Sequence, residues 1–276
     1  MIATFIIFMR EGIEASMIAA ILSAYLTKIG QRGAIRYVLA GMGSAVILAG
    51  ILGAGIYAAV HNWANTRAQT IFESFTYLLA AGLLIYMALW MGRHARSLSS
   101  ELRSQADGAL STGERRGFFL IAFQATLREG VEAAVFTLAI VFGPAGKGAL
   151  VGAAVGLLVA AIVAFAIFKM GKAINIKLFF SVVGQILIVF GAGLFADAIS
   201  GFQQLGWISF LDQPMWNSSG AIADSSTVGD LLHSFLGYSA APTPLQALGW
   251  VVYLGTAFVA LHHQRVRLSA PAMAKG

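Results

Sequence analysis

The chain has no cysteine among its 276 residues. That absence removes disulfides, thiolate metal sites and thiol redox chemistry together. Charge is also scarce: Asp, Glu, Lys and Arg make up 11% of the residues, against roughly a quarter in an ordinary soluble domain. Hydrophobic residues reach 58% and mean hydropathy is +0.79. These values exclude a conventional water-soluble core and predict an all-α polytopic membrane protein. No linker or low-complexity stretch divides the chain, so residues 1–276 read as a single membrane domain. The formal net charge of +6 does not point to nucleic acid, because the basic residues lie in short loops between apolar spans, where they report orientation.

The N-terminus lacks the basic start of a signal peptide, and Arg10, Glu11 and Glu14 interrupt its apolar stretch. It reads as a retained first transmembrane helix. Seven segments are long and apolar enough to cross a bilayer, which takes ~20 residues each. They fall near 2–27, 34–60, 70–92, 117–142, 148–170, 178–200 and 244–263. Between them lie a loop at 93–116 that mixes basic and acidic residues, an outer loop at 201–243, and a tail at 264–276.

The basic residues then alternate between sides. Lys28, Arg32, Arg36, Arg93, Arg96, Arg103, Arg115, Arg116, Lys169, Lys172, Lys177, Arg265, Arg267 and Lys275 share one face, and only Arg67 and Lys147 lie on the other. The positive-inside rule makes the crowded face cytoplasmic, with the N-terminus outside and the C-terminus inside.

The remaining two basic residues lie inside the spans, each within a short charged motif. These are Arg10-Glu11-Gly12-Ile13-Glu14 and Arg128-Glu129-Gly130-Val131-Glu132, 118 residues apart in spans 1 and 4. Phe5 and Phe123 match at the same offset, as do Ala15 and Ala133; Ala81-Gly82-Leu83 resembles Ala192-Gly193-Leu194. Spans 1–3 (about 1–92) and 4–6 (about 117–200) therefore read as repeats. Three is odd, so the second copy enters from the opposite face. Inverted repeats of this kind place a binding site near the midplane. A rise of ~1.5 Å per residue carries both motifs to the middle of a hydrocarbon layer ~30 Å thick. Span 7 stands outside the repeat.

On a helix, Arg10, Glu11 and Glu14 share an arc of about 100°, and so do Arg128, Glu129 and Glu132. Each motif is a polar face on an apolar helix, and charge at that depth is costly unless it meets other charge or an ion. Gly12 and Gly130 permit close approach. Four carboxylates and two guanidiniums leave an excess of two negative charges, which a bound cation relieves. Oxygen-only ligation suits a hard cation. Glu11, Glu14, Glu129 and Glu132 are the candidate metal ligands. Arg10 and Arg128 can orient them by two-point contacts. A purely structural ion-pair network would fix helix register, but it leaves the carboxylate excess and its duplication unexplained.

Paired Arg-Glu-Gly-x-Glu motifs in spans 1 and 4 of a seven-span chain resemble the high-affinity iron permeases. These are the oxidase-dependent iron transporters of fungi and bacteria, and the resemblance is to their EfeU-type bacterial members. It covers essentially the whole chain, including Phe72-Glu73 and Trp90-Met91 around span 3. It continues through Gly229, Leu232, Gly237-Tyr238 and Pro242 in the outer loop. The resemblance implies that the four motif glutamates bind iron and that a separate extracytoplasmic ferroxidase or iron-delivery protein is the partner. It implies a bacterial inner-membrane permease, not an enzyme, carrying Fe³⁺ or Fe²⁺ oxidised outside, with no permanently bound cofactor. An oligomer is left open. Where many members carry Trp-Asp, this chain has Trp216-Asn217, so no acid stands there. A different hard or borderline divalent metal is the alternative cargo. An intramembrane acid/base enzyme is the alternative of another class, but no Ser/His pair or His-rich metal motif supports it.

Other polar residues are weaker candidates. Glu73, Asp197, Asp224 and Asp230 are possible accessory ligands on the inward path. The 201–243 loop has no Lys or Arg and carries Asp212, Asp224, Asp230 and His233, which would concentrate cations. Asp224 precedes Ser-Ser-Thr as a helix cap would. Gln124 and Gln185 read as buried interhelical hydrogen-bonders. The 93–116 loop reads as a solvated connector with the makings of a surface helix. Glycines along spans 2 and 5 read as helix-packing stripes.

Overall fold

The computed structural model describes residues 2–63, 66–94, 98–111, 115–142, 148–170, 176–224 and 226–269. All regular structure among them is helical. In chain order the helices are α1 (Ile2–Lys28), a 3-10 turn (Arg32–Ala34), α2 (Ile35–His61), α3 (Arg67–His94), α4 (Leu98–Ser111), α5 (Arg115–Phe142), α6 (Ala149–Met170), α7 (Ile176–Gln204), α8 (Thr227–Leu236) and α9 (Pro244–Ser269). The apolar segments of the sequence are thus all occupied by long helices.

Five of these helices pass as membrane spans on length and apolarity: Arg32–His61, Arg67–Trp90, Ala149–Ala166, Ser181–Gln204 and Pro244–Gln264. With 27 and 28 residues, α1 and α5 are as long as the rest. The charged motifs alone set them apart, since every 18-residue stretch of either helix carries at least three charged residues.

The chain forms two compact units. The first comprises Met1–Ala64 and Arg96–Ile176, and so holds α1, α2, α4, α5 and α6. Within it α1 runs along α6, α2 runs along α5, and α1 also meets α5. Glycine makes the crossings possible. A Cβ on Gly12 of α1 would lie 2.7 Å from the Cβ of Ala160 on α6, and a Cβ on Gly130 of α5 would lie 2.7 Å from that of Ala49 on α2. Both gaps are far below van der Waals contact, and both glycines belong to the charged motifs. The helix that carries each motif therefore packs on the helix that follows the other motif, through the same small-residue contact. Gly41 against the Phe119 carbonyl and Gly156 against the Phe5 carbonyl continue the two seams. The glycine stripes are sparser than the sequence indicates. Gly43, Gly50 and Gly55 face open space, and Gly148 serves as a left-handed turn residue (φ 84°) ahead of α6.

The 93–116 connector holds the surface helix its sequence allowed but is less solvated than that reading had it. Its residues 98–111 are helical, and Leu102 and Ala106 are buried with Ile18, Leu22, Leu26, Ala34, Val38, Phe118 and Ala122. The helix is amphipathic, and its apolar stripe closes one end of the first unit. The Tyr25 hydroxyl donates to Asp107 at its edge.

The second unit comprises Asn65–Ala95 and Lys177–Gly276, holding α3, α7, α8 and α9. Ser74 of α3 sits over Gly201 of α7, and Tyr253 of α9 sits over Gly191. The Tyr253 hydroxyl donates to the Ala81 carbonyl at 2.7 Å, and Gln264 Nε2 donates to the Leu89 carbonyl at 2.7 Å. Within 201–243 the chain forms α8, just after the cap-like stretch that begins at Asp224. Its cap is Ser226, whose hydroxyl accepts from Gly229 N at 3.0 Å; Asp224 instead accepts from Ala240 N at 2.8 Å. The helix ends at Gly237 in the left-handed conformation (φ 68°), with its backbone against that of Gly193 on α7.

One ionic contact fastens α8 to α7. His233 Nε2 lies 3.4 Å from Asp197 Oδ2, and Nδ1 lies 2.8 Å from the Tyr238 carbonyl. Burial alone would lower the His233 pKa. The Asp197 hydrogen bond and charge, the Tyr238 carbonyl and the nearby Asp224 outweigh it and hold the pKa up at about 9, from the usual 6.5.

Two outcomes follow from these contacts. Gly12→Ala should lower the melting temperature in detergent, because overpacking a tight seam costs about 1–3 kcal/mol. Adding Ala160→Gly should recover most of that loss, whereas Ala160→Gly alone should not raise the melting temperature. The His233–Asp197 contact is fully formed below pH 6.5 and is lost as pH rises through about 9. Hydrogen exchange of the α8 amides should therefore accelerate between pH 7 and 10 beyond the intrinsic chemical rate, and His233→Gln should abolish that excess.

Candidate metal centre

Both charged motifs lie mid-helix, where the surrounding Ile, Phe, Ala and Leu residues keep the backbone in its own hydrogen-bond ladder. A helix interior also fixes each side chain's direction. Arg10, Glu11, Glu14, Glu129 and Glu132 are all buried. All belong to the first unit, so its own packing creates the site.

Arg10 is the hinge of the charge arrangement. Its Nη1 lies 2.9 Å from Glu11 Oε1, and its Nη2 lies 2.9 Å from Glu14 Oε1. The first contact is a well-formed hydrogen bond. The second is an ion pair without hydrogen-bond alignment, since Glu14 Oε1 has no geometrically proper donor among the described residues. One guanidinium thus faces two carboxylates of its own helix.

Across from it, Glu129 of α5 completes a group. One oxygen from each of Glu11, Glu14 and Glu129 lies within 4.8 Å of the others. Three oxygens that close could share one hard cation after a small inward adjustment, since its bonds to carboxylates run about 2.0–2.6 Å. Glu11 Oε2 is buried with no hydrogen-bond partner among the described residues. Buried carboxylate oxygens in apolar surroundings are strongly unfavourable without a partner.

The fourth candidate ligand takes a different place. Glu132 is buried, but its Oε1 pairs with Arg128 Nε at 3.0 Å, and its Oε2 has no hydrogen-bond partner among the described residues. It lies outside the group of three. The two halves are also unequal in exposure: the Arg10 side chain is 4% exposed and that of Arg128 is 37% exposed.

The accessory candidates lie in the second unit, and Glu73, Asp197 and Asp224 have local partners there. Glu73 Oε1, half-buried on α3, accepts from Gln69 Nε2 at 2.6 Å. Asp197 pairs with His233, Asp224 caps the Ala240 amide, and Asp230 lies in the first turn of α8. No second group of three metal-ligating side chains occurs among the described residues. The Asp197–His233 pairing was invisible in the sequence because its members lie on different helices with no periodic relation. Gln124 and Gln185 are exposed on α5 and α7, which corrects their reading as buried. An exposed glutamine on such a helix has no helix opposite it to bond. In place of the missing acid, Asn217 Oδ1 accepts from Ser219 N at 2.9 Å and shapes a turn.

Known proteins resemble the chain along nearly its whole length. The model of the iron permease FTR1 family matches residues 1–268. The ferrous iron permease EfeU of Escherichia coli O6:H1 is 30% identical over 265 residues, covering 94% of this chain and 95% of the relative. The ferrous iron permease EfeU of Yersinia pestis is 30% identical over 261 residues, covering 94% and 92%. A protein of E. coli K12 described as a putative inactive ferrous iron permease EfeU matches at the same level, 30% over 265 residues. No solved structure matches the chain. With a family match over nearly its whole length, long apolar helices throughout and a buried carboxylate centre, the chain belongs to the iron permease FTR1 family of multi-pass membrane transporters.

Proposed function

We propose that this protein imports iron across a bacterial inner membrane through the carboxylate centre of α1 and α5. The observation that carries the reading is the convergence of Glu11, Glu14 and Glu129 within 4.8 Å, in a buried site with an orphaned oxygen. In this account the whole chain acts as one membrane domain. All seven long helices cross the membrane, with the N-terminus outside and the C-terminus in the cytoplasm, and the two motifs enter from opposite faces as an inverted repeat. The mirrored contacts of Gly12 with Ala160 and Gly130 with Ala49 support that repeat. So does the asymmetry of the basic residues.

Iron arrives as Fe³⁺, or as Fe²⁺ oxidised on the outer side by a separate ferroxidase. The relatives' description as ferrous permeases fits the second route. Glu73, Asp197, Asp224 and Asp230 make the outer face acidic and raise the local cation concentration. At the centre the ion replaces a proton or solvent among Glu11, Glu14 and Glu129, with Arg10 holding the first two in place. Glu132 leaves Arg128 and supplies a fourth carboxylate once the ion has neutralised the others. Small tilts between helices that cross at close glycine contacts then expose the ion to the cytoplasm. No cofactor takes part; iron is the cargo.

Radioactive iron uptake in cells tests the ligand assignment. Glu11→Gln, Glu14→Gln, Glu129→Gln and Glu132→Gln should each lower the initial rate about tenfold or more at normal membrane expression, since each removes a charge-assisted ligand. Undiminished uptake in a double mutant of either motif would sink the model. Excess Mn²⁺ or Zn²⁺ in the same assay separates iron from another divalent cargo, which would compete at equal concentration.

Arg10 is testable on its own. Arg10→Ala leaves buried carboxylates uncompensated, a loss of about 3–5 kcal/mol, so little folded protein should be recovered. Arg10→Ala with Glu14→Gln should restore folded protein in size-exclusion chromatography without restoring uptake. Recovery of uptake in that double mutant would contradict the orienting role.

A further inference from the structure

Hydroxyl side chains inside these helices have a common habit. Ser16, Thr27, Ser44, Ser74, Thr76 and Thr137 each donate to the carbonyl four residues earlier, at 2.6–2.8 Å. Thr126 on α5 breaks it. The residue is 2% exposed, and its Oγ1 is sealed from solvent with no hydrogen-bond partner among the described residues. The Ala122 carbonyl, four residues earlier, offers the usual bond, and Oγ1 does not take it.

An unpaired buried hydroxyl lowers stability, and valine would fill the same shape without that loss. Position supplies the reason to carry it. Thr126 precedes Glu129 by three residues, which places it about 60° around α5 and ~4.5 Å along its axis. Side chains three apart on one helix are neighbours. Thr126 and Glu129 therefore hold neighbouring positions on α5, with no hydrogen bond between them. The repeat offset of 118 residues places Phe8 at the equivalent position on α1, so the hydroxyl is present on one side of the centre only. In the orientation proposed above, α5 begins in the cytoplasm, and Thr126 lies on the cytoplasmic side of Glu129.

We propose that the Thr126 hydroxyl is a neutral oxygen ligand for the transported iron, meeting the ion on the cytoplasmic side of Glu11, Glu14 and Glu129 as it leaves them. The proposal rests on the carboxylate reading of the centre. The hydroxyl keeps its proton and offers a lone pair, so no bond is made or broken besides coordination. A neutral donor next to charged ones suits release. It draws the ion off the carboxylates while holding it more weakly than they do, which permits onward movement.

The test compares Thr126→Val, Thr126→Ser and Glu129→Gln in radioactive iron uptake and in thermal melting of the purified full chain. Thr126→Val should melt at the wild-type temperature or above, because it removes an orphan. Its maximal uptake rate should fall about tenfold with KM within about twofold of wild type. Thr126→Ser, which keeps the hydroxyl, should retain most of the rate. Wild-type rate and KM in Thr126→Val would overturn the proposal. So would a rise in KM at unchanged maximal rate, or a lowered melting temperature with equal rate loss in Thr126→Ser, which would mark a packing role. Glu129→Gln separates the two levels: full uptake there defeats the carboxylate centre itself, whereas its loss together with a fully active Thr126→Val defeats only the threonine.

Discussion

The structure turns on one guanidinium held between two carboxylates. Arg10 reaches Glu11 and Glu14 at 2.9 Å each, deep in a helix whose other residues are almost all apolar. Charges in such surroundings cost several kcal/mol each, on the order of 2.5–3.5 even on lenient insertion scales, so they persist only where they meet one another. That requirement dictates much of the first unit. It brings α5 close enough for Glu129 to join the pair, and it demands glycine within both motifs so that neighbouring helices can come near. A side chain at Gly12 or Gly130 would move the helices apart and leave the charges without their setting.

The two motifs are alike in their glycine contacts and uneven in charge. Gly12 and Gly130 meet alanines at the same 2.7 Å, yet Arg10 serves two carboxylates whereas Arg128, a third exposed, pairs with Glu132. A site that binds and then releases an ion benefits from such inequality. Two identical half-sites would hold the cargo equally on both sides, while a tighter half and a looser half provide a direction. Glu11 and Glu132 also each keep one buried oxygen without a hydrogen-bond partner among the described residues, which supports the proposed iron site.

Charge elsewhere does different work. In the second unit, Asp197 and Asp224 tie the 201–243 segment together, through His233 and through the Ala240 amide. These carboxylates have partners of their own. The contrast with the first unit is chemical. There, carboxylates crowd one another, which favours a metal ion; here each meets a complementary donor, which favours a fixed loop.

The sequence by itself determined the helical, membrane-embedded class, the long helices, the two charged motifs and the family. Each of these rests on local periodicity, on the cost of charge in lipid, or on motif residues adjacent in the chain. Tertiary structure alone decided how the motifs meet. Four equivalent glutamates were legible, but their division into three that converge and one held by Arg128 depends on which helices cross and at what height. The docking of α4 was hidden because a short amphipathic helix reads as a connector until Leu102 and Ala106 find a surface. The Asp197–His233 contact was hidden because residues on separate helices leave no spacing signal. Thr126 shows the same limit. A threonine one turn before Glu129 is unremarked in sequence, and only burial, together with its refusal of the backbone bond that its neighbours accept, sets it apart.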